Sequence, residues 1–215
     1  MRALARRTFI AAAVAASALA LAACNGGGNA KSAEGDIVLG NANAPVTVVE
    51  YASITCGHCA AWNQQVWPEF KAKYVDTGKV KFVFREFLTP PVEVAAAGFL
   101  VARCAGDDKY HEVVEAMFRG QQEMFESGDP RGVLLRVAQS AGMSEEQFNT
   151  CVTDEEGLKA LQARVETATK DMNVQGTPTF FVNDKMVASG AVSLEALSAE
   201  IDPLLAASGG APEKK

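Results

Sequence analysis

The apolar run Val46-Thr47-Val48-Val49-Glu50-Tyr51 leads into Cys56-Gly57-His58-Cys59. The residues after it carry Trp62, Val66 and Phe70 at four-residue intervals, and a second β-type run, Lys79 to Arg85, follows. Strand, helix and strand in so short a stretch leave little topological choice, because a crossover between parallel strands of one sheet is almost always right-handed. Val46 to Tyr51 is apolar at nearly every position, the pattern of a strand covered on both faces. The chain is thereby constrained to the α/β class, with helices packed on a sheet. Ile37 to Leu39 reads as a short edge strand, and Pro68, inside the helical stretch, is expected to bend it.

After Pro90-Pro91 the periodicity becomes helical. Tyr110, Val113, Val114, Met117 and Phe118 form one stripe, Leu134, Val137, Ala138 and Ala141 another, and Leu158, Leu161, Val165, Ala168 and Met172 a third. Ser144 with Gln147 has capping-box spacing, and Asp129-Pro130 sets a cap before a first-turn proline. Strand periodicity returns at Thr179 to Val182 and, across the Asn183-Asp184 turn, at Lys185 to Ala188. A last helix starts at Ser193. The expected division is a signal segment over 1–24, a flexible linker over 25–35, one α/β domain made of 36–91 and 174–207, an α-helical insertion over 92–173, and a polar tail over 208–215.

Met1 to Cys24 has a basic start, Arg2, Arg6 and Arg7, and an Ala-rich apolar stretch too short for a comfortable membrane span, which reads as an export signal. Leu21-Ala22-Ala23-Cys24 resembles a bacterial lipobox, so Cys24 is the expected lipidation site, with plain cleavage after Ala22 the alternative. Arg6-Arg7 also allows a twin-arginine route. Without this segment, 17 basic side chains face 26 acidic ones, which argues against a nucleic-acid partner. Cys104 and Cys151 both fall in predicted helices. In an exported protein a structural disulfide between them is expected, with two inert buried thiols the alternative.

Two thiols spaced as Cys56 and Cys59 can close a small reversible ring. Cys56 stands at a helix N-terminus, where unpaired N–H groups and the positive end of the helix dipole favour a thiolate. It is expected to be the attacking sulfur and Cys59 the resolving one, with the His58 imidazole donating to or pairing with Cys56. A zinc site would need four ligands, and no second C-x-x-C or Cys/His pair is near. No metal is expected, and no cofactor beyond the Cys56–Cys59 disulfide. Glu50 is anomalous inside an apolar strand; an exposed side chain or one paired with Arg85 or Lys81 is the plain alternative. His111 is expected to be a solvated helix residue. Trp62, Tyr51 and Trp67 are either core or an apolar substrate surface.

Together with the helical insertion and Gly176-Thr177-Pro178-Thr179-Phe180-Phe181-Val182-Asn183, these motifs resemble the DsbA-type thiol:disulfide oxidoreductases of the thioredoxin superfamily, over about Asp36 to Leu205. The resemblance implies a thioredoxin fold with an inserted α-helical domain. It implies a cis Thr177-Pro178 peptide facing the cysteines and binding extended substrate, and a buried Glu50 that relays the proton of Cys59. With the leader and the lipobox-like end, the expectation is a periplasmic monomer, tethered to the membrane where Cys24 is lipidated, that oxidises reduced or unfolded exported proteins; the resemblance implies its reoxidation by a membrane DsbB-like, quinone-linked partner. The family's second acid in the active-site helix has no counterpart here, since Asn63 and Gln64 are neutral. Two rivals remain: a periplasmic reductase or isomerase using the same cysteines, and a tethered peptide-binding chaperone in which the disulfide is structural.

Overall fold

Strand β2 (Val46–Ala52) is buried at every residue and forms the middle of a five-stranded sheet. The structure, a computed structural model, describes residues 33–209. The export segment 1–24 with Cys24, residues 25–32 of the linker and residues 210–215 of the tail lie outside the described residues. β2 runs parallel to β3 (Val80–Glu86), setting Val48 opposite Phe82 and Glu50 opposite Phe84. Its other edge pairs antiparallel with β4 (Thr179–Val182), placing Phe180 opposite Glu50. Strands β1 (Val38–Leu39) and β5 (Lys185–Ser189) complete the order β1-β3-β2-β4-β5.

Because strand side chains alternate, Val46, Val48, Glu50 and Ala52 share one face, and Thr47, Val49 and Tyr51 the other. The first face carries the main core, with Trp62, Trp67, Phe70, Phe82, Phe84 and Phe180. The second face holds a smaller cluster of Val49, Tyr51, Val83, Phe181, Ala168 and Val174. Tyr51 therefore lies on the side opposite Glu50, edge-on to Phe181 at 5.6 Å, and takes no part in a substrate surface beside the cysteines. Arg85 sits opposite Tyr51 in the register and grips Asp36 through two hydrogen bonds of 2.8 and 2.7 Å. That alternation keeps Arg85 away from Glu50.

Helix α1 (Gly57–Gln65) leaves the end of β2. Pro68 has no N–H to return to Gln64, and the helix is interrupted at Val66 before resuming as α2 (Trp67–Phe70) and a π-type stretch, Lys71–Val75. Between β3 and β4 lie α3 (Val92–Cys104), α4 (Tyr110–Glu126), α5 (Pro130–Ser140), α6 (Glu145–Val152) and α7 (Glu155–Lys170). Asp129 caps α5, Ser144 and Gln147 form a reciprocal capping box on α6, and Ser193 caps the closing helix α8 (Leu194–Ala207). Each supplies an acceptor for a helix N–H that lacks an intrahelical partner.

Two devices fasten these helices. Cys104, ending α3, is disulfide-bonded to Cys151 of α6. Glu86 of β3, with 1% of its side chain exposed, accepts from Arg103 of α3 at 2.5 Å and from Arg164 of α7 at 3.0 Å. Among the described residues no helix is long and apolar enough to cross a membrane.

His111 differs from expectation. It is buried, with Nε2 3.2 Å from the Ile37 carbonyl and its ring beside Phe82. The apolar stripe of α4 is broad enough to carry His111 inward with Tyr110 and Val114. A carbonyl only accepts, so Nε2 holds the proton, and burial pushes the imidazole below its ordinary pKa.

Candidate active site

β2 ends in a turn in which the Cys56 N–H donates to the Ser53 carbonyl at 3.0 Å, and the Ala60 N–H of α1 donates back to the Cys56 carbonyl at 3.1 Å. A hydroxyl network holds the outer side of this turn: Ser53 Oγ meets Thr55 Oγ1 at 3.0 Å, and Thr55 Oγ1 donates to the Thr89 carbonyl at 2.8 Å. On the inner side Gln121 of α4 donates through Nε2 to the Ile54 carbonyl at 2.6 Å and to the Cys56 carbonyl at 3.1 Å. Sequence reasoning missed Gln121, which stands in the polar stretch Gly120-Gln121-Gln122-Glu123.

The two sulfurs occupy unlike surroundings. Cys56 is half-buried at the N-terminus of α1, while Cys59 is fully buried one turn on. Cys56 Sγ lies 3.4 Å from the Thr177 carbonyl, across a cis Thr177-Pro178 peptide. Its pKa falls to about 5: the Cys59 thiol is the main donor to its sulfur, joined by the Thr177 hydroxyl and the N–H groups of Cys59 and His58, against an opposing contribution from burial. The Thr177 hydroxyl is buried beside the thiol and has no other partner among the described residues. Burial, the hydrogen bond to Cys56 and the nearby Glu50 all push the Cys59 thiol upward. At neutral pH the reduced pair therefore carries one thiolate, on Cys56, and one thiol, on Cys59.

His58 contributes through its main-chain N–H, and its side chain is exposed. The imidazole contact anticipated from the sequence is replaced by a backbone one, since the first-turn side chain points outward while the N–H points along the helix axis at the sulfur. Glu50 is 1% exposed, with Oε1 unpartnered among the described residues. Burial first, and the Cys56 charge second, raise its pKa well above the usual carboxylate range. A narrow cavity of about 10 Å³, near the size of one water, adjoins Glu50 and is also lined by Asn63, His111 and Glu115. Trp62 and Trp67 are buried in the core, their indole N–H groups spent on the Val192 carbonyl and on Glu115. Among the described residues no cluster of His, Cys, Asp and Glu is arranged to hold a metal ion.

The thioredoxin family model matches residues 32–203. A Rickettsia bellii relative named as a protein-disulfide oxidoreductase is 35% identical over 173 residues, which cover 79% of this chain; the chain spans 64% of that relative's length. Two crystal structures are similar. Wolbachia pipientis alpha-DsbA1 superposes with a TM-score of 0.74 at 26% identity, covering 82% of this chain and 94% of the other. Oxidised BdbD from Bacillus subtilis does so with a TM-score of 0.69 at 26% identity, covering 83% and 97%. With a family model matched over most of its length and DsbA-type structures superposing on more than four-fifths of it, the chain belongs to the thioredoxin family and is of the DsbA type.

Proposed function

We propose that this chain is an exported thiol:disulfide oxidoreductase that introduces disulfides into other exported proteins through Cys56 and Cys59. The asymmetry of the pair carries this reading: a thiolate-stabilised sulfur open to a partner stands beside a buried, proton-holding one. A substrate thiolate attacks Cys56 of the oxidised pair, forming a mixed disulfide, and Cys59 departs as a thiolate that takes a proton from Glu50. A second substrate thiolate then attacks the substrate sulfur of that bridge, and Cys56 leaves as the stabilised thiolate. The substrate gives up two electrons and becomes a disulfide, and Glu50 recovers its proton from solvent. The Thr177 main chain, beside Cys56 Sγ, offers an acceptor to an extended substrate segment.

The leader-like sequence of residues 1–24 supports a periplasmic site of action. On this reading a lipidated Cys24 tethers the monomer to the membrane, near a quinone-linked DsbB-like reoxidant. The reduction potential tests it. Equilibrated in glutathione buffers, the pair is expected well above the roughly −270 mV of thioredoxin, toward the roughly −120 mV of DsbA. A value at or below thioredoxin's would turn the reading to a reductase. A Cys59→Ala variant that traps no mixed disulfide would favour the tethered chaperone.

A further inference from the structure

We propose that Gln121 of the helical insertion is a positioning residue for the redox pair, its carboxamide fixing the Cys56 peptide so that Sγ stays on the donors that face it. This rests on the reading of Cys56–Cys59 as the exchanging pair. Gln121 is 7% exposed, and Nε2 donates to both the Ile54 and the Cys56 carbonyls. With the Cys56 N–H on Ser53 and its carbonyl shared between Ala60 and Gln121, the main chain of the nucleophile is tied on both sides of its Cα. The sulfur itself depends on its direction: as a thiol it donates to the Thr177 carbonyl at 3.4 Å, 121 residues away in the chain, and as a thiolate it accepts from the Cys59 thiol and from the N–H groups of Cys59 and His58. Such contacts weaken steeply with small displacements. A peptide released from α4 would keep its thiol and lose their alignment.

α4 is joined to α1 by a second carboxamide, Gln64 Nε2 on the Phe118 carbonyl at 3.1 Å. That bond ties the same two helices without touching Cys56, and so separates positioning from mere attachment. The titratable groups around Cys56 are Cys59 and His58 of α1 and Glu50 of β2, and Gln121 is neutral. Replacing Gln121 by Met therefore removes two donated hydrogen bonds without changing any charge.

The test is the pH profile of Cys56 alkylation by iodoacetamide in the reduced protein, for wild type, Gln121→Met and Gln64→Leu. The expected result is a Gln121→Met midpoint raised by about one pH unit, a tenfold slower reaction at acid pH and little change at pH 9. Gln64→Leu keeps the wild-type midpoint while lowering the thermal midpoint. If Gln121→Met does not fold, Gln121→Asn, too short to reach both carbonyls, takes its place. Two results overturn the inference: a wild-type midpoint near 5 that neither Gln121 variant moves, or equal movement in Gln121→Met and Gln64→Leu. A wild-type midpoint near the ordinary thiol value would instead sink the exchange reading itself.

Discussion

The pH dependence of the Cys56–Cys59 reduction potential is the sharpest consequence of this site. Cys56 lies near 5 where an ordinary thiol lies near 9, and Cys59 is pushed the other way. Between about pH 5 and pH 9 the pair thus takes up one proton with two electrons, so the potential falls by about 30 mV per pH unit; below pH 5 it takes up two, and the slope doubles to about 59 mV. At pH 7 the pair is more oxidising than two ordinary thiols by about 60 mV at most, an upper figure because water screens the open side of Cys56. The sign follows from linkage. The folded value lies below the unfolded one, so the thiolate stabilises the reduced fold fully above about pH 9, and this contribution is lost as the pH falls through about 5. Protein-film voltammetry from pH 4 to 9 reads the slopes directly. A slope of about 59 mV per unit persisting through pH 7 would mean both thiols are protonated there and would refute the reasoning.

Three further outcomes follow from packing and burial. Glu50→Leu is expected to stabilise the protein by about 1 to 3 kcal/mol at pH 7 in denaturant titrations while slowing exchange, because it removes a buried carboxyl with an unpartnered oxygen. The folded pKa of Glu50 is raised, so the part of the gain that comes from proton uptake on folding shrinks as the pH falls into the ordinary carboxylate range and is gone below it, leaving the part due to the unpartnered oxygen; a variant less stable than wild type at pH 7 contradicts this account. Gly98→Ala in α3 is expected to destabilise by about 1 to 3 kcal/mol, since the added Cβ would stand 2.0 Å from Ile54 Cδ1 in a filled core. Helix propensity alone predicts the reverse, a gain of about 1 kcal/mol, so denaturation distinguishes the two. Replacing Cys104 and Cys151 together by alanine is expected to cost about 4 kcal/mol through the 47-residue separation they close. The alkylation midpoint of Cys56 should not change, and a shift would show that the bridge reaches the site.

What the chain declares by itself is local. The β-α-β unit, the helical stripes from Tyr110 onward and the caps at Asp129, Ser144 and Ser193 were legible because periodicity and capping depend on neighbours a few residues apart. Cys56 and Cys59 were legible for the same reason, and Glu50 betrayed itself by interrupting an apolar run. Other features depend on segments far apart in sequence. Tyr51 and Glu50 are adjacent residues, and only the packing of α1 and α4 on one face of the sheet and α7 on the other decides which of them meets the cysteines. His111 looked solvated among charged neighbours, yet the seating of α4 against Phe82 and the Ile37 carbonyl buries it. The His58 imidazole, named from its place in the motif, gives way to a main-chain N–H once the direction of the first helical turn is set. Gln121 left no signal, because a glutamine beside another glutamine and a glutamate reads as helix surface. Its role comes from two carbonyls more than sixty residues earlier in the chain, and a hydrogen bond across that distance exists only once tertiary packing has brought donor and acceptors together.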